Sequence, residues 1–109
     1  MPKKPLVSIL IASYNKEKYV KRCINSCINQ NYNKLEIIFY DDGSKDNSYN
    51  IAKEIKGIKV FKNKKKINQG IFNTYYQIKS YNKAFSKSKG KYILLLDSDD
   101  FFKKNKVRE

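Results

Sequence analysis

The sequence predicts an α/β domain with a mostly parallel four-stranded sheet and helices on both faces. Two observations carry this. Four short apolar runs alternate with segments of helical periodicity, in the order β-α-β-α-β-α-β and with short connections. Two of those runs also pass directly into clusters of carboxylates. In open parallel sheets the C-terminal ends of the strands are where ligands bind.

Leu6 to Ala12 is the first predicted strand, β-branched and nearly continuous in apolar residues, with Pro5 just before it. Asn15 is the expected N-cap of the first helix, in which Tyr19, Val20, Cys23, Ile24, Cys27 and Ile28 recur at helical spacing as one apolar stripe. Leu35 to Tyr40 is the second strand, and Asp41-Asp42-Gly43-Ser44 follows it, Gly43 permitting a tight turn. A second helix is predicted to start near Asp46 or Asn47, to face Ile51, Ala52 and Ile55 inward, and to end at Gly57. Ile58 to Phe61 is a short third strand whose alternation leaves one side wet. Lys62 to Thr74 reads as a basic loop. A third helix is predicted from about Tyr75 to Ser88, with Ile78, Tyr81, Ala84 and Phe85 inward and Gly90 as its C′ residue. Tyr92 to Leu96 is the fourth strand, an apolar run of the kind buried on both faces. Phe101 to Arg108 is expected to begin another helix. There is no internal repeat and no linker, so residues 1–109 read as one domain.

The fourth run enters Asp97-Ser98-Asp99-Asp100. Two carboxylates two residues apart share a face if the strand continues. Held close they repel, and a hard cation with oxygen ligands relieves that repulsion. The alternative is a solvated acidic turn with Asp100 as a helix N-cap.

The 24 Lys and Arg against 10 Asp and Glu give a net charge of +14, which favours anionic partners. The lysines are spread along the whole chain rather than gathered into a basic stripe interleaved with aromatics, so no specific nucleic-acid role is expected. Cys23 and Cys27 lie four residues apart on one helix face and are expected to be buried, reduced thiols, as suits a reducing compartment. With two cysteines and no histidine a zinc site lacks ligands. The basic start Met1-Pro2-Lys3-Lys4-Pro5 precedes an apolar run too short for a leader, and no run approaches a membrane span. The expected location is the cytoplasm, with peripheral contact at the inner face of the cell membrane.

Three segments together carry a resemblance. Val7-Ser8-Ile9-Leu10-Ile11-Ala12-Ser13-Tyr14-Asn15, Glu36-Ile37-Ile38-Phe39-Tyr40-Asp41-Asp42-Gly43-Ser44-Lys45-Asp46 and Gly90-Lys91-Tyr92-Ile93-Leu94-Leu95-Leu96-Asp97-Ser98-Asp99-Asp100 resemble three successive motifs of family 2 glycosyltransferases. Their order is the family's, and they span nearly the whole chain. The resemblance implies the nucleotide-binding half of a Rossmann-like GT-A fold. It implies that Ala12, Ser13 and Tyr14 line a nucleotide pocket, that Asp42 contacts a pyrimidine edge, and that Asp41 supports the turn or the ribose side. Asp97-Ser98-Asp99 matches the family's DxD motif: Asp99 is the implied ligand of Mg²⁺ or Mn²⁺, with Asp97 on the ribose or a water beside the metal. The implied donor is a nucleoside-diphosphate sugar, a UDP-sugar first, and the implied acceptor a glycan or a lipid-linked glycan.

Two departures stand out. Gly70 and Asn82 are farther apart than in the family, Ile71 to Ser80 reads as an insertion, and Tyr81 stands where the family has an Arg. Family members also continue well past this point, so the general base and the acceptor site are expected beyond residue 109, and the chain alone is expected to bind rather than to transfer. The fourth strand would then be an exposed apolar edge, expected to pair with a second copy. Three other readings compete: a basic nucleic-acid-binding module, a non-catalytic remnant, and a receiver-like domain that lacks a phospho-acceptor Asp at the third strand.

Overall fold

The computed structural model describes residues 4–63, 73–103 and 106–107. Its elements are β1 (Val7–Ser13), α1 (Glu17–Ile28), β2 (Leu35–Asp41), α2 (Ser48–Lys53), β3 (Lys59–Lys62), α3 (Asn73–Ser86) and β4 (Tyr92–Asp97). Side chains of α3 are described from Ile78 onward. The four strands form one sheet in the order β3-β2-β1-β4, and every pairing is parallel. The chain adds β2 and β3 on one side of β1, then returns to place β4 on the other.

That reversal puts helices on both faces. Crossovers between parallel strands share one hand, so reversing direction along the sheet changes the face the helix covers. Alternate residues of the strands define the two layers. Ile9, Ile11, Ile37, Phe39 and Leu96 pack with Val20, Cys23, Ile24 and Cys27 of α1 and Ala52 of α2. Leu10, Ile38 and Tyr40 pack on the other face with Ala84 of α3, and Phe61, Tyr81 and Ile93 border them. Cys23 and Cys27 are both free and buried. Among the described residues no helix is long and apolar enough to cross a membrane.

Several expectations are corrected. Asn15 does not cap α1. Its φ is +54°, a left-handed turn, and its Oδ1 accepts from the Lys45 amide at 2.8 Å. The helix starts after Lys16 with no side-chain cap of its own. The Asp46 carboxylate, from the loop after β2, accepts the Glu17 amide at 3.1 Å instead. The same carboxylate accepts the Ser48 amide at 3.0 Å, so one side chain serves the starts of α1 and α2.

The stripe on α1 is narrower than its periodicity suggests, since Tyr19 and Ile28 at its ends are exposed. On α3 the inward residues are Ser80, Tyr81 and Ala84, whereas Ile78 and Phe85 are more than half exposed. Among the described residues β4 is an edge strand of the sheet.

Gly90 is not a left-handed C′ residue; among the described glycines only Gly43 and Gly57 have positive φ. Its role is close approach: a Cβ there would lie 2.4 Å from Ser8 Oγ and 2.6 Å from the Ser8 amide nitrogen. After Asp100, residues Phe101 to Lys103 are irregular and Lys106 and Val107 form a turn rather than the expected helix. Phe102 and Val107 nevertheless pack on the α1 layer. Gly70, and the Lys64 to Phe72 part of the predicted basic loop, lie outside the described residues.

Candidate functional site

The strand order determines where a ligand can sit. Between β1 and β4 the connections leave in opposite directions, and such a switch point opens a crevice at the C-terminal strand ends. The register sets the residues along that rim: Ala12 pairs with Asp97, Ser13 with Asp41, and Asp41 with Lys62. The pairing runs one step past the strands. The Ser98 amide donates to the Ala12 carbonyl at 3.2 Å, the Asp42 amide to the Ser13 carbonyl at 2.9 Å, and the Asn63 amide to the Asp41 carbonyl at 2.9 Å. Both acid clusters are thereby fixed to β1, on either side of it.

Asp41 faces inward and organises the turn. It is buried, and its carboxylate accepts from the Gly43 amide at 3.1 Å and from the Ser44 amide at 2.7 Å. Burial pushes its carboxyl above the usual range, against the pull of those bonds. Asp42 is also buried and is held by the side-chain amide of Asn63. Burial raises its carboxyl too, while the Asn63 bond and the charges of Lys83 and Lys79 oppose the rise. The amide of Asn63 is oriented by its partners: Tyr40 Oη and Lys83 Nζ both donate to its Oδ1, at 2.7 and 2.9 Å. Asn63 escaped the sequence reading because it falls in Lys62 to Thr74, which reads only as a basic loop. Its place at the end of β3, beside the acids of β2, is the signal that finds it.

Ser13 ends β1 between the two acid turns and is buried. Its hydroxyl is buried without a hydrogen-bond partner, an unusual state for a hydroxyl and a cost to the fold. Tyr14 beside it is half-buried, and Ala12 is buried. The turn after Tyr14 is tied across to the β2 loop, where the Asn15 amide donates to Ser44 Oγ at 2.7 Å.

Asp97 and Asp99 do not share a strand face. β4 ends at Asp97, and a turn closed by the Asp100 amide on the Asp97 carbonyl at 2.9 Å carries Asp99 past it. Asp97 accepts from Tyr81 Oη of α3 at 2.6 Å. Burial and the Asp97 carboxylate together push the Tyr81 phenol well above its usual range, so it stays a donor. Asp99 turns toward α1 instead, with Lys16 Nζ at 3.6 Å and Arg22 Nη2 donating to its carbonyl at 3.2 Å. Ser98, between them, is buried.

The donor set suits a hard divalent ion. Among the described residues no group of three or more His, Cys, Asp or Glu is placed to hold a metal by itself. Magnesium-type sites are usually built from one or two carboxylates completed by water and substrate phosphates. Two exposed carboxylates at one strand end provide that, and a thiol or imidazole site is not offered.

Both the sequence and the fold have known counterparts. The profile of Glycosyl transferase family 2 matches residues 8–109. An uncharacterized glycosyltransferase of Haemophilus influenzae is 38% identical over 96% of this chain and 40% of its own length. The Escherichia coli UDP-Glc:alpha-D-GlcNAc-diphosphoundecaprenol beta-1,3-glucosyltransferase WfaP is 34% identical over 94% of this chain and 38% of its own length. Among solved structures, S. aureus TarS in complex with UDP-GlcNAc superposes with a TM-score of 0.79 at 25% identity, covering 94% of this chain and 29% of that one. The chain thus spans at most 40% of the length of these relatives.

Proposed function

Because the chain belongs to glycosyl transferase family 2, we propose that residues 1–109 form the donor-binding unit of an enzyme that moves a sugar from a UDP-sugar to a glycan or lipid-linked acceptor. The observation that carries this is the pair of acid turns, Asp41-Asp42 and Asp97-Ser98-Asp99, fixed on either side of β1 at the sheet's switch point. WfaP is named for a UDP-sugar and a diphosphoundecaprenol acceptor, and TarS was solved with UDP-GlcNAc, which supports the same donor class here.

The roles are those the family resemblance implies, carried by residues that this fold gathers along one rim of the sheet. Ala12, Ser13 and Tyr14 line the crevice floor, where the unpartnered Ser13 hydroxyl supplies a ready hydrogen-bonding group. Asp42, oriented by Asn63, reads the base edge, and Asp41 holds the turn that presents it. Asp97 would hold the ribose or a water beside the metal, and Ser98 would belong to the same nucleotide site. Asp99, with Asp97, would hold Mg²⁺ or Mn²⁺. The cation's chemistry is Lewis-acid stabilisation of the departing diphosphate. We assign no general base within residues 1–109, so this unit binds the donor and the transfer step draws on residues outside it.

The setting is part of the same proposal. A net charge of +14 suits peripheral contact with anionic lipid at the cytoplasmic face of the membrane. The outer side of β4, with Leu95 56% exposed, suits pairing with a second copy.

The test is calorimetric titration with UDP, GDP, CDP and dTDP, each with Mn²⁺ and with EDTA, repeated on Asp99→Ala. The expected result is UDP binding that requires Mn²⁺ and is lost in the variant. Failure of all four nucleotides to bind with Mn²⁺ present would refute the donor-site reading.

A further inference from the structure

Asp99 already faces a cation of the protein's own. Lys16 Nζ lies 3.6 Å from its Oδ2, with the two side chains 43% and 46% exposed. We propose that Lys16 is the resident counter-cation of Asp99, which an incoming divalent ion displaces, so that Lys16 sets how tightly this chain binds that ion. The inference rests on the donor-site reading and deepens it.

The backbone on both sides of the pair is held independently of the pair. The Lys16 amide donates to Ser48 Oγ at 3.0 Å, and the Lys16 carbonyl accepts the Tyr19 and Val20 amides at 2.8 and 3.1 Å. Lys16 is therefore anchored as the N-cap residue of α1 while its side chain reaches out to the acid turn. On the other side Arg22 donates to the Asp99 carbonyl and stacks on the Phe101 ring, 4.7 Å from its centroid. Removing the Lys16 charge therefore leaves the main chain around Asp99 in place.

An ammonium is a hydrated point charge on a flexible stem and makes no bidentate lock on a carboxylate. At this exposure the pair is weak, so it neutralises Asp99 in the absence of a metal yet yields to a hard dication. Two positive charges compete for one carboxylate. The affinity for the ion is reduced by the free energy of the ion pair that must break.

The test is titration of Mn²⁺ into the chain, without nucleotide, followed by the electron paramagnetic resonance signal of free Mn²⁺. It compares wild type with Lys16→Gln, Lys18→Gln and Asp99→Asn. Lys18 is exposed on the same first turn and removes the same charge. Lys16→Gln is expected to tighten Mn²⁺ binding about twofold to fivefold, the range an exposed ion pair supplies. Lys18→Gln should change it by less than about 1.5-fold, its charge being screened by solvent. Equal effects of the two lysine variants, or weaker binding by Lys16→Gln, would overturn the role of Lys16 while leaving Asp99 as ligand, provided Asp99→Asn abolishes binding. Mn²⁺ binding that is absent in wild type, or untouched by Asp99→Asn, would overturn the metal assignment and this inference together.

Discussion

Replacing Gly90 by alanine should unfold this chain far more readily than its small size suggests. The added Cβ would meet Ser8 Oγ at 2.4 Å, the Ser8 amide nitrogen at 2.6 Å and Ser8 Cβ at 3.0 Å. Carbon contacts are at rest near about 3.5 Å, so the strands must part by roughly 1 Å. Rotating the Ser8 hydroxyl away does not help, because the amide nitrogen belongs to β1, which is paired on both sides. Moving β4 away instead weakens the bond from the Gly90 amide to Ser8 Oγ at 2.8 Å and that from the Lys91 amide to the Leu6 carbonyl at 2.8 Å. Overpacking of this kind costs about 1–3 kcal/mol and a lost hydrogen bond about 1 more, giving about 2–4 kcal/mol in total. That is a large part of the roughly 5–15 kcal/mol that stabilises a domain. Thermal unfolding by circular dichroism should show Tm lowered by about 10–25 °C. Two companions isolate the cause. Gly57→Ala, at φ +88° with nothing within 4 Å, should cost only about 1–2 kcal/mol of left-handed strain. Ser8→Ala should not rescue Gly90→Ala, since the main-chain clash remains. A Gly90→Ala chain within about 0.5 kcal/mol of wild type, below any real overpacking cost, would refute the close-packing account of β4.

Two further outcomes concern the acid turns. Asp46→Ala removes the acceptor at the starts of both α1 and α2, and should cost about 2 kcal/mol in urea unfolding, at about 1 kcal/mol per cap. Burial pushes the Asp46 carboxyl up, but its bonds from Ser48 and Glu17 outweigh this and hold it below the usual range. Its contribution is therefore present above the unfolded carboxylate pKa and lost as pH falls through the folded one, so the gap between variant and wild type should close in acid. Asp42 is the opposite case. Its carboxyl is raised by burial, so its contribution is present at low pH and lost as pH rises, and at neutral pH its charge burdens the fold. Asp42→Asn should raise Tm at neutral pH, with the gain fading in acid, while nucleotide binding weakens. A variant that melts lower at pH 7 would contradict this.

The elements themselves were legible because each rests on local pattern. The alternation of strand and helix, the parallel sheet and the acid clusters at strand ends all follow from runs of apolar residues and their spacing. Boundaries moved by one to two residues, as at β3 and α3, where hydrogen bonding rather than hydrophobicity ends an element. Four of the corrections have one source. Asn15, Gly90, Ile78 and Phe85 were read from their sequence neighbours, but their states are set by residues far away in the chain. Asn15 is held by Ser44 and Lys45, and Gly90 is pressed against Ser8. Ile78 and Phe85 are left exposed because no described element packs over them.

By itself the sequence determined the fold class, the family resemblance and which acids to watch. Those depend on side-chain type and on distances of a few residues along one strand or helix. The tertiary structure decided the partners: Asn63 on Asp42, Tyr81 on Asp97, and Lys16 on Asp99. Each pair joins residues 16 to 83 positions apart. The first forms only once β3 is laid beside β2, the other two only once β4 is laid beside β1, and strand order is a property of the packed layers that no local period encodes.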